Sequence, residues 1–162
     1  MFLVSCSLFA TVPGDEHWDA QFGGPGVTNT PLAIAASGGT IYAVGAPLIS
    51  NGTNVPLYAW DGNQWTVAAN FNGPNLNVPS LLQVNDLAFV GNTLYAAGSF
   101  TNVNGVVANG LAKWDGTAWS GIGFSGVAFG LAVVGNNLYV SGFFTNAGGV
   151  LMTNIGYWDG AI

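Results

Sequence analysis

Residues 91–116, GNTLYAAGSFTNVNGVVANGLAKWDG, and residues 135–160, GNNLYVSGFFTNAGGVLMTNIGYWDG, decide the reading of this chain. Laid side by side they share 13 identities in 26 positions, with Phe-Thr-Asn at the same offset in both (Phe100–Asn102 and Phe144–Asn146). Such self-similarity is the mark of a repeat architecture. Outward from this pair the pattern recurs. Trp-Asp-Gly begins at Trp60, Trp114 and Trp158, spaced by 54 and 44 residues. A tyrosine follows a Gly/Asn turn at Tyr42, Tyr95 and Tyr139, and the distance from each to the next repeat tryptophan is 18, 19 and 19 residues.

A third marker is a tryptophan five residues after the first, at Trp65 and Trp119; Trp18 fits the same slot near the front of the chain. From this residue to the following tyrosine the distance is 24, 30 and 20 residues. The variable length therefore falls in the loop after it, around 23–30, 70–79 and 121–126, where Gly, Pro and Asn crowd.

Each repeat reads as four short strands. The first is apolar (Leu32–Ala36, Val84–Val90, Val127–Val134), and the second carries the tyrosine after a Gly-Gly or Gly-Asn hairpin turn. The third ends at Trp-Asp-Gly, and the fourth starts at the next tryptophan. Asp61, Asp115 and Asp159 are expected to accept local backbone hydrogen bonds in a tight turn, with the flanking tryptophans facing each other across the hairpin. Four strands every 44–54 residues match the blade of a β-propeller. No 3.6-residue periodicity supports a helical solenoid, and a β-sandwich does not repeat at this period.

Composition agrees. Of 162 residues 50% are hydrophobic, 13% aromatic and only 5% charged, with 25 glycines. Gly and Asn with β-branched and aromatic residues favour strands and turns, and the aromatic content excludes disorder. The net charge is −6 and the single lysine is Lys113, so nucleic-acid binding and a polybasic membrane patch are both excluded.

The strings LYAAGSFTNVNGVVANGLAKWDGTAWS and LYVSGFFTNAGGVLMTNIGYWDG resemble kelch-like repeats of the galactose-oxidase central-domain kind, over roughly residues 13–162. The resemblance implies large secreted or surface proteins of environmental bacteria, or fungal cell-polarity surface proteins, and the N-terminal PGDEHWDAQFGGPG looks like the start of such a mature region. Ala97-Gly98 and Ser141-Gly142 stand where kelch blades carry Gly-Gly, and the Gly-His of WD-type blades is absent. The copper chemistry of galactose oxidase needs histidine ligands and a Tyr-Cys pair that this chain lacks.

The expected architecture is all-β: a partial β-propeller, an open arc of about three four-stranded antiparallel blades spanning about 31–69, 80–123 and 127–160. Residues 17–22 form a leftover outer strand around Trp18. A closed ring of three is unfavourable, because closed propellers have four to eight blades. The chain then reads as a fragment of a longer propeller or as a protomer that closes by self-association through its open blade faces.

Residues 1–12 are apolar and too short to span a bilayer as a helix. Three readings stay open for them: a clipped signal remnant, an N-terminal strand, or a lipoprotein box at Leu3-Val4-Ser5-Cys6 without its basic n-region. A secreted or surface location is expected. Cys6 is the only cysteine and His17 the only histidine, so no intrachain disulfide forms and neither a zinc site nor a buried triad is expected. Asp15, Glu16 and Asp19 lack the EF-hand pattern, Asp86 reads as a loop or strand-edge residue, and the three turn aspartates lie too far apart for a glycosidase pair. No catalytic residue, cofactor or metal is assigned. Two functions are carried forward: a non-catalytic scaffold for protein interaction, and, alternatively, a carbohydrate-binding propeller module. Burial of the repeated aromatics favours the first; an aromatic open on a rim groove favours the second.

Overall fold

The computed structural model describes residues 31–45, 54–73 and 83–160. All its regular structure is β. Sheet one is built from β1 (Pro31–Ser37), β2 (Thr40–Gly45), β3 (Asn54–Trp60) and β4 (Trp65–Asn72), paired in chain order. Sheet two begins with β5 (Val84–Val90) and β6 (Thr93–Gly98). A small hairpin, β7 (Asn102–Val103) and β8 (Val106–Val107), then leaves to pair with the edge of β4. The chain returns as β9 (Leu111–Trp114) and β10 (Trp119–Gly121) to complete the order β5-β6-β9-β10. Sheet three consists of β11 (Ser125–Val134), the long β12 (Asn137–Ala147), its hairpin continuation β13 (Val150–Leu151), and β14 (Ile155–Trp158) against β12. Every pairing is antiparallel and no sheet closes on itself. No helix occurs among the described residues, hence none long and apolar enough to cross a membrane.

Turn chemistry explains the hairpins. Between β1 and β2, Gly38 and Gly39 take φ of 60° and 82°, the double left-handed pattern of a type I′ turn. Between β5 and β6, and between β11 and β12, only the glycine is left-handed (Gly91 57°, Gly135 60°), with asparagine following, the type II′ pattern. The first strand of every sheet carries a β-bulge at the same place, between Pro31 and Ala33, Val84 and Asp86, and Ala128 and Gly130. Leu32, Asn85 and Phe129 are the extra residues, chemically unlike one another, so the sequence hides this repeated feature.

The hairpin β7–β8 and its counterpart at the end of β12 with β13 also match. Asn102 Oδ1 accepts from the Gly105 N–H (3.3 Å), as Asn146 Oδ1 does from Gly149 (3.1 Å). The Asn104 N–H reaches back to Asn70 O (2.9 Å), and the Gly148 N–H to Gly123 O (3.2 Å). Each hairpin thereby pads the outer strand of the preceding sheet. Asn70–Asn72, expected in a loop, belong to β4: they continue the ladder with residues 54–56 of β3, and the hairpin adds a second partner on the other side at Phe71 and Asn72.

The core lies between sheets, not within one layer. One cluster sits between sheets one and two around Val44, Leu57, Phe71 and Phe100, and a second between sheets two and three around Leu111, Phe124, Leu138 and Phe144. The pairs at their outer ends are near copies, Phe71–Phe100 at 4.8 Å and 54°, Phe124–Phe144 at 4.7 Å and 49°. First strands approach one another along the other end, β1 against β5 and β5 against β11. Because Phe100 is fully buried at the first of these seams, Phe100→Ala is expected to cost about 3–5 kcal/mol in denaturant unfolding, whereas Val107→Ala at the exposed hairpin tip should stay within about 0.5 kcal/mol.

Candidate functional site

The repeat positions occupy matching places. Tyr42, Tyr95 and Tyr139 lie on the second strand of each sheet, and Trp60, Trp114 and Trp158 end the third. The tryptophan pairs across the Asp-Gly turn are in register, Trp60 opposite Trp65 and Trp114 opposite Trp119, with ring centroids 5.5 and 6.4 Å apart. Trp18 lies outside the described residues, as do Cys6, His17, Asp15, Glu16 and Asp19.

Asp61 and Asp115 build the turn between those rings. Asp61 Oδ1 accepts from the N–H groups of Asn63 (2.8 Å) and Gln64 (2.9 Å). Asp115 Oδ1 accepts from the Thr117 hydroxyl (2.7 Å) and from the N–H groups of Thr117 (2.8 Å) and Ala118 (2.9 Å). Gly62 and Gly116, at φ of 98° and 100°, close the turns. The Thr117 hydroxyl and the two backbone donors hold the Asp115 carboxyl down at about 2, and the Gln64 and Asn63 N–H groups lower Asp61. Asp159 occupies the same position after Trp158. Asp61 and Asp115 serve turns on separate sheets, and the turn after Asp159 runs outside the described residues.

What joins the sheets is a lock between the second-strand tyrosine of one and the third-strand tryptophan of the next. Tyr42 meets the edge of Trp114 at 5.8 Å and lies 5.7 Å from Phe89. Tyr95 packs with Trp158 in the second core cluster, and Lys113 sets its ammonium 5.8 Å from the same indole. Burial raises both tyrosine hydroxyls above the ordinary phenol value; the Trp158 indole offsets part of this at Tyr95. Polar contacts stitch the second seam. The Asn85 amide donates to Ala128 O (2.8 Å), and Asp86 Oδ2 accepts from the Leu131 N–H (2.7 Å). Asp86, expected as a loop or strand-edge residue, lies inside β5, the edge strand of sheet two, and is an inter-sheet latch; its partner is 45 positions away and leaves no local signal.

Tyr139 has the same place in sheet three and a different environment. It is 36% exposed, against 9% for Tyr42 and 5% for Tyr95. Its neighbours on that face, Phe143, Ile155 and Tyr157, are exposed, with the Tyr157 ring tilted against it at 5.9 Å and Phe129 against Phe143 at 5.2 Å. A second apolar feature is a cleft of about 260 Å³ between sheets two and three, lined by Ile122, Phe124, Phe144, Met152 and Trp158 among others. A third is the pair of hairpin tips, Val106–Val107 and Val150–Leu151, exposed at equivalent positions. Among the described residues no group of three His, Cys, Asp or Glu gathers to hold a metal ion. The chemistry on display is apolar and aromatic contact.

No protein-family model matches the chain, and no curated protein is significantly similar to it.

Two measurements bear on this geometry. A double-mutant cycle on Tyr42→Leu and Trp114→Leu, read by urea unfolding, should give a coupling of about 0.5–1.5 kcal/mol. Asp115 is depressed in the folded state, so its contribution is present above the unfolded value of 3.8 and is lost as pH falls towards about 2. Melting temperatures should therefore drop across that window, and by less in Asp115→Asn.

Proposed function

We propose that this protein is a non-catalytic repeat scaffold: an open arc of three kelch-like propeller blades that presents apolar contact surfaces to other proteins, secreted or at the cell surface. The observation that carries the reading is the recurrence of one seam. Sheet follows sheet through the same tyrosine–tryptophan contact, the same phenylalanine pair and the same hairpin pad. A stack that adds units by one rule is an extensible support, and such arrays bind through loops and tips repeated along one side. In this chain those tips are Val106–Val107 and Val150–Leu151, one pair for each padding hairpin.

The arc belongs to a ring that further repeats of a longer protein, or another copy, would complete. Support for the carbohydrate-binding alternative is weaker, because Tyr42, Tyr95 and Trp60 are buried. The exposed Tyr139–Tyr157 pair lies on the open face of sheet three, in continuity with a packing seam.

The scaffold reading is tested by a photo-crosslinking amino acid at position 151 in producing cells. Discrete protein adducts are expected, and Leu151→Ser with Val107→Ser should remove them from a crosslinker placed at Val150 without lowering the melting temperature by more than a few degrees. No adducts, together with binding on a glycan array, would refute the scaffold and favour the sugar-binding module.

A further inference from the structure

A cavity of about 270 Å³ opens between sheets one and two. Its floor is apolar and covered, with Leu57 1% and Tyr42 9% exposed. Trp114 and Trp119, both half-buried, form its walls. Exposed residues hold its mouth: Asn104 at the turn of the hairpin β7–β8, Thr117 in the turn between β9 and β10, and Ala68 on β4. Ala68 is the extra residue of a β-bulge, since Leu57 pairs with Ala69 and Tyr58 with Val67. The matching strand of sheet two, β10, pairs with β9 without a bulge. A bulge bends its strand and re-aims a side chain, and this one lies on the cavity.

The polar groups at the mouth have fixed roles. Asn104 Oδ1 accepts from the Asn70 N–H (2.8 Å), and the Asn104 N–H donates to Asn70 O (2.9 Å). With its oxygen engaged, the side chain has its amide NH2 left to offer, which has no partner among the described residues. The Thr117 hydroxyl gives its hydrogen to Asp115 Oδ1 (2.7 Å), so the hydroxyl oxygen remains as an acceptor. Asn104 holds a left-handed φ of 48°, where its counterpart in the second hairpin is Gly148 at 61°. Glycine adopts that conformation more readily, so the turn alone does not call for the amide. No charged side chain lines the cavity.

These features define an occupant. It puts an uncharged apolar group on the floor, because a hydroxyl or a charge there loses its bonds to water without replacement. At the mouth it offers an acceptor to Asn104 and a donor to Thr117. A peptide unit carries both, a C=O and an N–H, beside a side chain that can point away from them. A sugar ring bears hydroxyls on most of its edge and would strand some of them against Leu57. The volume lies just below that of pockets for drug-sized ligands and suits one side chain. The aromatic rings around it favour an aromatic one.

We propose that this cavity is an anchor pocket: it takes one phenylalanine-type side chain from an extended segment of a partner protein, whose main chain bonds to the Asn104 NH2 and the Thr117 hydroxyl oxygen. The proposal rests on the scaffold reading and specifies its partner. Asn104 stands two positions before Val106 on the same hairpin, so a segment lying on the exposed tip Val106–Val107 runs on to the pocket. A contact made through exposed tips gains its specificity from such an anchor, since a few well-packed side chains carry most of an interface's energy.

The test titrates the intact chain, nitrogen-15-labelled at tryptophan, with N-acetyl-phenylalanine N-methylamide at millimolar concentration. Saturable shifts of the Trp114 and Trp119 indole signals are expected, with N-acetylglycine N-methylamide and methyl glucopyranoside giving none. Asn104→Asp keeps the bond from Asn70 and removes the donor, and Ala68→Leu fills the mouth. Each should weaken binding of the phenylalanine probe about tenfold, with the melting temperature changed by no more than a few degrees. Absence of saturable shifts in the wild type overturns the proposal, as does unchanged affinity in both variants. A glucoside that shifts these signals where the phenylalanine probe does not overturns it in favour of a sugar site. Crosslinked adducts at position 151 without a response to the probe sink the pocket alone; a response without adducts sinks the scaffold reading alone.

Discussion

Flat aromatic surface leaving one sheet has to be covered by aromatic surface entering the next, and the rest of this molecule follows from that need. A four-stranded sheet of short strands has two faces and very little interior. With 5% charged residues, this chain cannot make either face polar by charge. Each sheet is stable only as part of a stack, since burying an aromatic side chain contributes a few kcal/mol and an isolated small sheet has no other source of comparable size. Tyr42 on Trp114 and Tyr95 with Trp158 are the two completed instances. The hairpin pads, the bulges and the tight Asp-Gly turns hold the strands at the angles that let those rings meet.

The division between what the sequence reveals and what it conceals has a physical basis. Interactions confined to a few residues leave a signature. The Trp-Asp-Gly turn needs a carboxylate, a left-handed glycine and two rings five positions apart, and all are readable. The Tyr42, Tyr95 and Tyr139 markers are readable because the strand between turn and ring has nearly constant length. Contacts across a seam are another matter. Asp86 reads from the sequence as a loop or strand-edge residue, and its latch role stays hidden because its partner, the Leu131 N–H, is a backbone group with no residue identity. Phe71 and Phe124 escaped because they fall six and five residues after their tryptophans, so no fixed offset exposes them. The bulges at Leu32, Asn85 and Phe129 impose geometry without asking for chemistry. The Phe-Thr-Asn identity was the one available hint of the padding hairpin, and the pairing of Asn102 and Asn146 with their own turns accounts for its asparagine.

Repetition also explains why the two internal seams are not identical. The first has Leu32-Ala33 at the bulge, with Ala33 buried in the core between sheets one and two and Leu32 half exposed. The second uses Asn85-Asp86 and adds Lys113 over Trp158. Directional hydrogen bonds fix register where apolar contact alone tolerates sliding. The chain's only lysine and one of its few carboxylates are thus both placed on the trailing face of sheet two, where they specify which sheet follows.

The corresponding residues of sheet three are Phe129 and Gly130 at the bulge and Tyr157 in place of Lys113. Among the described residues sheet three has no polar latch at these positions, and its outward face carries Phe129, Tyr139, Phe143, Ile155 and Tyr157 without a charge among them. Sheets that end in water are usually blunted by lysines, prolines or inward-turned charges on the last strand. Among the described residues none of those devices stands on this face. A contiguous aromatic surface is costly to hydrate and is readily covered by a further packing surface. The same physics that adds sheet two to sheet one acts with equal force at the open end of sheet three, and differs only in that the covering surface must be supplied from outside the described sheets.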